Sequence, residues 1–156
     1  MSGPTTVRCE SVAATRECAA RVAALARPGQ LVVLVGPLGA GKTTFVQGYA
    51  AALGVTSPVT SPSFTLAHHY ACGPGAPVAL LVHADLWRLD GPGEVADLAL
   101  DEVLDEGAAA IVEWGDRFDA ARGRDRVVVT FRVVDDEARE LVVDLDAANL
   151  GPDGRL

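Results

Sequence analysis

The 156-residue chain is short of several residue types: it has one lysine, Lys42, one isoleucine, Ile111, one asparagine, Asn149, and no methionine beyond Met1. Aromatic residues make up only 5%. The three cysteines, Cys9, Cys18 and Cys72, are odd in number and share no CxxC spacing. That excludes a disulfide framework and a zinc knuckle, and reads as reduced, packing-type cysteines of a cytosolic protein. The longest aliphatic runs, Leu31 to Val35 and Val78 to Val82, fall far short of the ~20 residues of a membrane helix. Ser2 to Glu10 is polar and charged, unlike a secretory signal. A basic excess is also missing, since the net charge is -8, which argues against stand-alone nucleic-acid binding through a basic face. Abundant Ala, Gly, Arg and Val beside scarce Lys, Ile, Asn and Met point to a codon bias, so the twelve arginines say little about function.

What is present suffices for one ordinary domain. A hydrophobic content of 49% supports a core and excludes disorder and collagen-like structure. A single domain is expected over residues 1–147, with a frayed tail over 148–156. Charge is divided unevenly: residues 1–84 hold five basic and two acidic side chains, net +3, and residues 85–156 hold eight and nineteen, net -11.

Hydrophobic periodicity alternates between helix and strand. Ser11 caps an expected helix to about Ala26, with Val12, Ala19, Val22, Ala23 and Leu25 as its apolar face. Leu31–Val35 reads as a strand covered on both faces, as in parallel sheets. A helix from Lys42 to Leu53 stops at Gly54, and Pro58 and Pro62 keep Val55 to Ser61 extended and irregular. Strands are expected at Phe64 to Tyr70, Val78 to His83 and Ala109 to Glu113, with a turn at Cys72 to Pro77. Gly91 to Gly93 opens a short helical region whose apolar positions are Val95, Leu98, Leu100, Val103 and Leu104. Arg126 to Val134 and Arg139 to Leu145 form a hairpin around Asp135-Asp136-Glu137.

Gly36-Pro-Leu-Gly-Ala-Gly-Lys42-Thr43 has the spacing of a phosphate-binding loop and lies between a predicted buried strand and a predicted helix. Backbone N–H groups from Gly39 through Ala40, Gly41, Lys42 and Thr43 to Thr44 would converge on a phosphate at a helix N-terminus. Lys42 would neutralise phosphate oxygens and the Thr43 hydroxyl would join a Mg²⁺ shell. A chain shuffled from this composition would match the pattern only about once in a thousand, before the strand and helix context is required. In such a domain an acid at a strand end is a candidate for the metal side or for orienting the attacking water, and both Asp85 and Glu113 qualify. The alternative for each is a solvated strand-end carboxylate. Trp114 either stacks on a base or fills the core. Ser57 to Phe64, with Ser61 and Ser63, has the hydroxyl content of a nucleotide-sensing switch, or is a proline-stiffened loop. His68, His69 and His83 lack metal-set spacing and read as ordinary strand or loop histidines. Arg88 and the Arg122, Arg124, Arg126 cluster are solvated surface unless they reach phosphate.

The phosphate loop with Thr44-Phe45-Val-Gln-Gly48, then Thr60-Ser-Pro-Ser-Phe64, then His83-Ala-Asp-Leu-Trp-Arg-Leu89, then Val112-Glu-Trp114, closely resembles the TsaE (YjeE) family from about Ser11 to Leu145. Its members are small bacterial ATPases needed for threonylcarbamoyladenosine modification of tRNA. The resemblance implies ATP and Mg²⁺ as cofactors, and the TsaB and TsaD proteins as partners, with tRNA reached only through that complex. It implies phosphate and metal roles for Lys42 and Thr43, an acid role for Asp85, metal binding and hydrolysis for Glu113, and a nucleotide-site position for Trp114. As nucleotide-binding positions, Thr15 would lie where the family's amino-terminal helix approaches the base, and Arg139 where its late hairpin carries an arginine. Four positions depart from the family pattern: Pro37 stands for an acid, Ser63 for a threonine, Trp87 for a tyrosine and Ala99 for a glycine.

The combined expectation is a three-layer α/β phosphate-loop domain with a mixed, mainly parallel sheet and a C-terminal antiparallel hairpin, acting as a slow, partner-stimulated ATPase in the cytoplasm. The alternatives are a small-molecule kinase, with Arg122 to Arg126 in a lid, and a regulatory module that binds nucleotide without useful hydrolysis.

Overall fold

The computed structural model describes residues 4–62, 67–86, 99–113 and 125–145. In chain order the elements are β1 (Thr5–Cys9), α1 (Val12–Ala23), β2 (Leu31–Val35), α2 (Lys42–Ala52), β3 (Ala67–Ala71), β4 (Leu80–Asp85), α3 (Leu100–Asp105), β5 (Ala109–Glu113), β6 (Arg126–Val133) and β7 (Arg139–Asp144). The seven described strands form one sheet in the order β1-β7-β6-β2-β5-β4-β3. β6, β2, β5 and β4 run parallel, while β1 with β7, β7 with β6, and β3 with β4 are antiparallel. The sheet is mixed, with the expected closing hairpin, and its parallel part is the central four strands.

β2 and β5 are buried along nearly their whole length, as their uninterrupted aliphatic runs require. Val32 and Leu34 pack with α1 and α2 on one face, and Leu31 and Val33 with Leu100 and Leu104 of α3 on the other, which makes the three layers. Fully burying one such side chain is worth roughly 1.5–3 kcal/mol. β6 alternates half-buried and buried residues as far as Phe131 and ends in exposed Arg132 and Val133.

Ser11 caps α1 as expected: its backbone is extended and its hydroxyl accepts the Ala14 N–H at 3.1 Å. The apolar face of this helix needs correction. Val12 and Leu25 are 57% and 50% exposed, and Thr15 and Cys18 take core positions beside Ala19, Val22 and Ala23. Val12 stands in the first turn over an open cavity and Leu25 lies past the last turn, so neither meets the sheet. α1 and α2 approach so closely that a Cβ on Gly48 would sit 2.7 Å from the Arg16 backbone. Gly54, at φ +81, ends α2 in the left-handed conformation expected of it.

β1 was not expected from sequence. Its residues are mostly exposed, and as an edge strand it is held by its ladder with β7, from Thr5 opposite Val143 to Cys9 opposite Arg139. It adds the third antiparallel pairing, so parallel and antiparallel pairs are equal in number among the described strands. β3 begins at Ala67, and the earlier part of that expected strand lies outside the described residues, as do Val95, Leu98 and the tail. No helix among the described residues is long and apolar enough to cross a membrane.

Ala99 precedes α3 at φ 52, ψ 34, the left-handed region that an L side chain with a Cβ occupies at a cost of about 1–2 kcal/mol. Glycine loses more chain entropy on folding, roughly 0.5–1 kcal/mol, but removes that clash. Ala99→Gly is expected to stabilise the protein by about 1 kcal/mol, raising Tm by about 2–4 °C in a thermal melt. The cysteines yield a second expectation. Cys9 and Cys18 are buried together, and burial pushes the Cys18 thiol up to about 11, with Cys9 adding to the rise. Cys72 is only half-buried. Iodoacetamide at mild alkaline pH should therefore modify Cys72 first, and Cys9 and Cys18 only after denaturation, as read by peptide mass spectrometry.

Candidate functional site

The chain leaves the buried strand β2 at Val35 and turns immediately. A Cβ on Gly36 would lie 2.8 Å from the Cβ of Phe131, so only glycine lets the loop pass this close to β6. Gly39 and Gly41 have φ of +79 and +98, which folds the loop back over the start of α2. Gly41 is the cap residue of α2 and provides no side-chain cap, so the first amides of the helix remain available to an anion. Lys42 is 5% exposed, and its Nζ donates to the carbonyls of Gly36 at 2.5 Å and Pro37 at 3.1 Å. The ammonium is thus fixed inside the loop. Pro37 contributes a carbonyl, a role that its missing N–H does not affect.

The neighbouring strands bring the acids to the same end of the sheet. In the parallel pairing of β4 with β5, Asp85 lies opposite Glu113. Thr43 Oγ1 donates to Glu113 Oε1 and Oε2 at 3.2 and 3.4 Å. Ser61 Oγ donates to Asp85 Oδ2 at 3.3 Å. Lys42, Thr43, Thr44, Ser61, Asp85 and Glu113 line one open cavity of about 330 Å³. Glu113 is only 4% exposed, so it is not a solvated strand-end carboxylate. One hydroxyl and two carboxylates are hard oxygen donors that suit Mg²⁺, which keeps waters and phosphate oxygens in its shell. Among the described residues no group of three or more His, Cys, Asp or Glu side chains could hold a metal alone, so a cation here would need oxygens from a phosphate or water.

Thr15 and Arg139 meet on the other side of the loop. They line a second cavity, about 380 Å³, with Val12, Gly39, Gly41 and Thr44. Arg139 donates to the carbonyls of Asp135 at 2.7 Å, Ala138 at 3.0 Å and Gly39 at 3.3 Å, tying the hairpin to the phosphate loop. The Asp135 carboxylate accepts the N–H groups of Ala138 and Glu137, which holds it below the usual carboxylate range. Gln47 on α2 accepts from Arg16 at 3.0 Å and donates to the Val59 carbonyl at 3.1 Å, fastening the segment before Ser61 to both helices.

Trp114, Ser63, Trp87, Arg88, Arg122 and Arg124 lie outside the described residues. Arg126 pairs in register with Leu31, at the end of β2 away from the phosphate loop, which removes it from any lid over phosphate. His68 contacts Tyr70 on β3 and is no part of the site. His83 is a strand histidine of β4, as expected, and outside any metal-holding group among the described residues. It is fully buried, and its Nε2 lies 2.6 Å from Glu113 Oε2. The usable signal was its spacing: two residues before Asp85 on a strand, it shares that acid's face of the sheet.

The family model described as threonylcarbamoyl adenosine biosynthesis protein TsaE matches residues 9–141. Among curated proteins, the chain is 37% identical over 127 residues to the tRNA threonylcarbamoyladenosine biosynthesis protein TsaE of Bacillus subtilis, covering 81% of this chain and 77% of that protein. It is 48% identical over 103 residues to the Streptomyces coelicolor protein of the same name, covering 65% and 67% respectively. Among solved structures, the crystal structure of Bacillus subtilis YdiB superposes with a TM-score of 0.73 at 31% identity, over 93% of this chain and 88% of that one.

Proposed function

Because this chain belongs to the TsaE family of tRNA threonylcarbamoyladenosine biosynthesis proteins, we propose that it binds Mg·ATP at the phosphate loop and hydrolyses it as an accessory to that tRNA modification. The proposed target of the hydrolysis cycle is the complex of TsaB and TsaD, which the ATPase step would reset for another round of modifying the adenosine beside the anticodon. The observation that carries this reading is the gathering of Lys42, Thr43, Asp85 and Glu113 around one cavity at the carboxyl ends of adjacent parallel strands.

Each residue has a definite task in the proposed reaction. The amides from Gly39 to Thr44 receive the β-phosphate, and Lys42 shifts from the Gly36 and Pro37 carbonyls toward the β- and γ-oxygens. Thr43, Asp85 and Glu113 would hold Mg²⁺, which when bound neutralises charge across the phosphates. Glu113 also orients the attacking water, its carboxylate being fixed on the cavity wall by Thr43. Ser61 leaves Asp85 when the nucleotide orders the segment around it, so that the surface offered to a partner differs between ATP and ADP states. The cavity of Thr15 and Arg139 takes the nucleoside.

Three measurements bear on this reading. Lys42→Arg should weaken ATP affinity about tenfold or more, roughly 1.4 kcal/mol by calorimetry, because a planar guanidinium does not fit where a compact ammonium is enclosed by the loop; unchanged affinity would remove Lys42 from the site. Glu113→Ala should retain nucleotide binding but lose about a hundredfold in phosphate release with TsaB and TsaD present. A reconstituted modification system lacking the protein should stall after its first turnovers, and undiminished multiple turnover would contradict the assignment.

A further inference from the structure

Among the described residues, His83 is the one buried polar group at this end of the sheet to which the phosphate-loop chemistry gives no task. It lies on β4 at 0% exposure, with Nε2 2.6 Å from Glu113 Oε2, while Thr43 approaches the same carboxylate from the cavity side. Its other ring nitrogen, Nδ1, is buried without a hydrogen-bond partner among the described residues. A carboxylate can only accept, and a neutral imidazole carries one hydrogen. The arrangement that satisfies the carboxylate therefore puts a ring hydrogen on Nε2, pointing at Glu113. A buried carboxylate robbed of a donor on its inner side is poorly satisfied and would turn toward water.

We infer that His83 is a positioning residue for Glu113: its Nε2–H holds the inner carboxylate oxygen, so that the group stays beside Thr43 and presents its remaining lone pairs to the cavity. This deepens the reading of the site given above and rests on it. The spacing supports the assignment, since His83 and Asp85 project to the same face of β4 and Asp85 lies opposite Glu113 in the parallel register. One strand thus contributes both a cavity acid and the support for the acid on the next strand. Groups behind metal-side ligands commonly change metal affinity or activity by about 10–100-fold when removed.

The test uses the full chain and two substitutions. His83→Leu keeps comparable bulk and removes the donor, whereas His83→Gln places an amide N–H near the former Nε2. Affinity for a non-hydrolysable ATP analogue is measured by calorimetry with Mg²⁺ and with a chelator, alongside phosphate release with TsaB and TsaD. His83→Leu should lose about 10–100-fold in turnover and most of the Mg²⁺ enhancement of analogue binding, with affinity in chelator within about twofold of wild type; His83→Gln should recover most of both. Isotope-labelled histidine spectra of the nucleotide-free protein should show one ring with its hydrogen on Nε2 that disappears in His83→Gln. The inference is overturned if His83→Leu matches wild type, if a folded His83→Gln is as impaired as His83→Leu, or if the buried ring carries its hydrogen on Nδ1. A wild-type protein with neither Mg²⁺-dependent binding nor turnover would instead sink the proposed function itself.

Discussion

The parallel register of β2, β5 and β4 is the constraint from which the candidate site follows. Parallel strands finish at the same edge of a sheet, so the loop after β2 and the acids that end β4 and β5 arrive together without any long-range instruction in the loops. The register of β2 is held by its parallel ladders to β5 on one side and β6 on the other. Slipping β2 by one residue would exchange the side chains packed on α1 and α2 with those packed on α3.

Glycine takes over where the backbone has to go where a side chain would block it. Gly36 passes Phe131, and Gly48 lets α1 lie against α2, which sets Thr15 over the cavity beside the loop. Polar contacts then complete the arrangement. Arg139 draws the hairpin onto Gly39, and Gln47 draws the segment before Ser61 onto α1 and α2. The cavity walls are therefore contributed by parts of the chain that are remote in sequence and close only because the sheet brings them together.

The sequence was legible where one local rule dominates. The buried runs of β2 and β5 were found with their boundaries, as were the Ser11 cap, the Gly54 stop and the β6–β7 hairpin, because each depends on a pattern a few residues long. β1 was missed because an edge strand with exposed side chains carries no hydrophobic alternation, and its stability comes from a partner at the other end of the chain. Val12 and Leu25 were misplaced because helix periodicity gives a face but not where the covering sheet ends. In the site, Lys42 and Thr43 were visible from motif spacing. His83 was not, since histidine alone names no task and only the pairing of β4 with β5 reveals which acid it meets.

The ladder between β1 and β7 has a consequence for the order of events in folding. Thr5 pairs with Val143 and Cys9 with Arg139, so the first described strand closes one of the longest loops in the molecule. Closing such a loop is entropically costly and tends to come late. On a ribosome β1 must wait for β7, and β2, whose neighbours are β5 and β6, must likewise wait for strands from the later part of the chain. The phosphate loop, whose Gly36 passes Phe131 of β6, and the cavity lined by Arg139 of β7 therefore both depend on the hairpin, and a nascent chain would acquire the two halves of the site together.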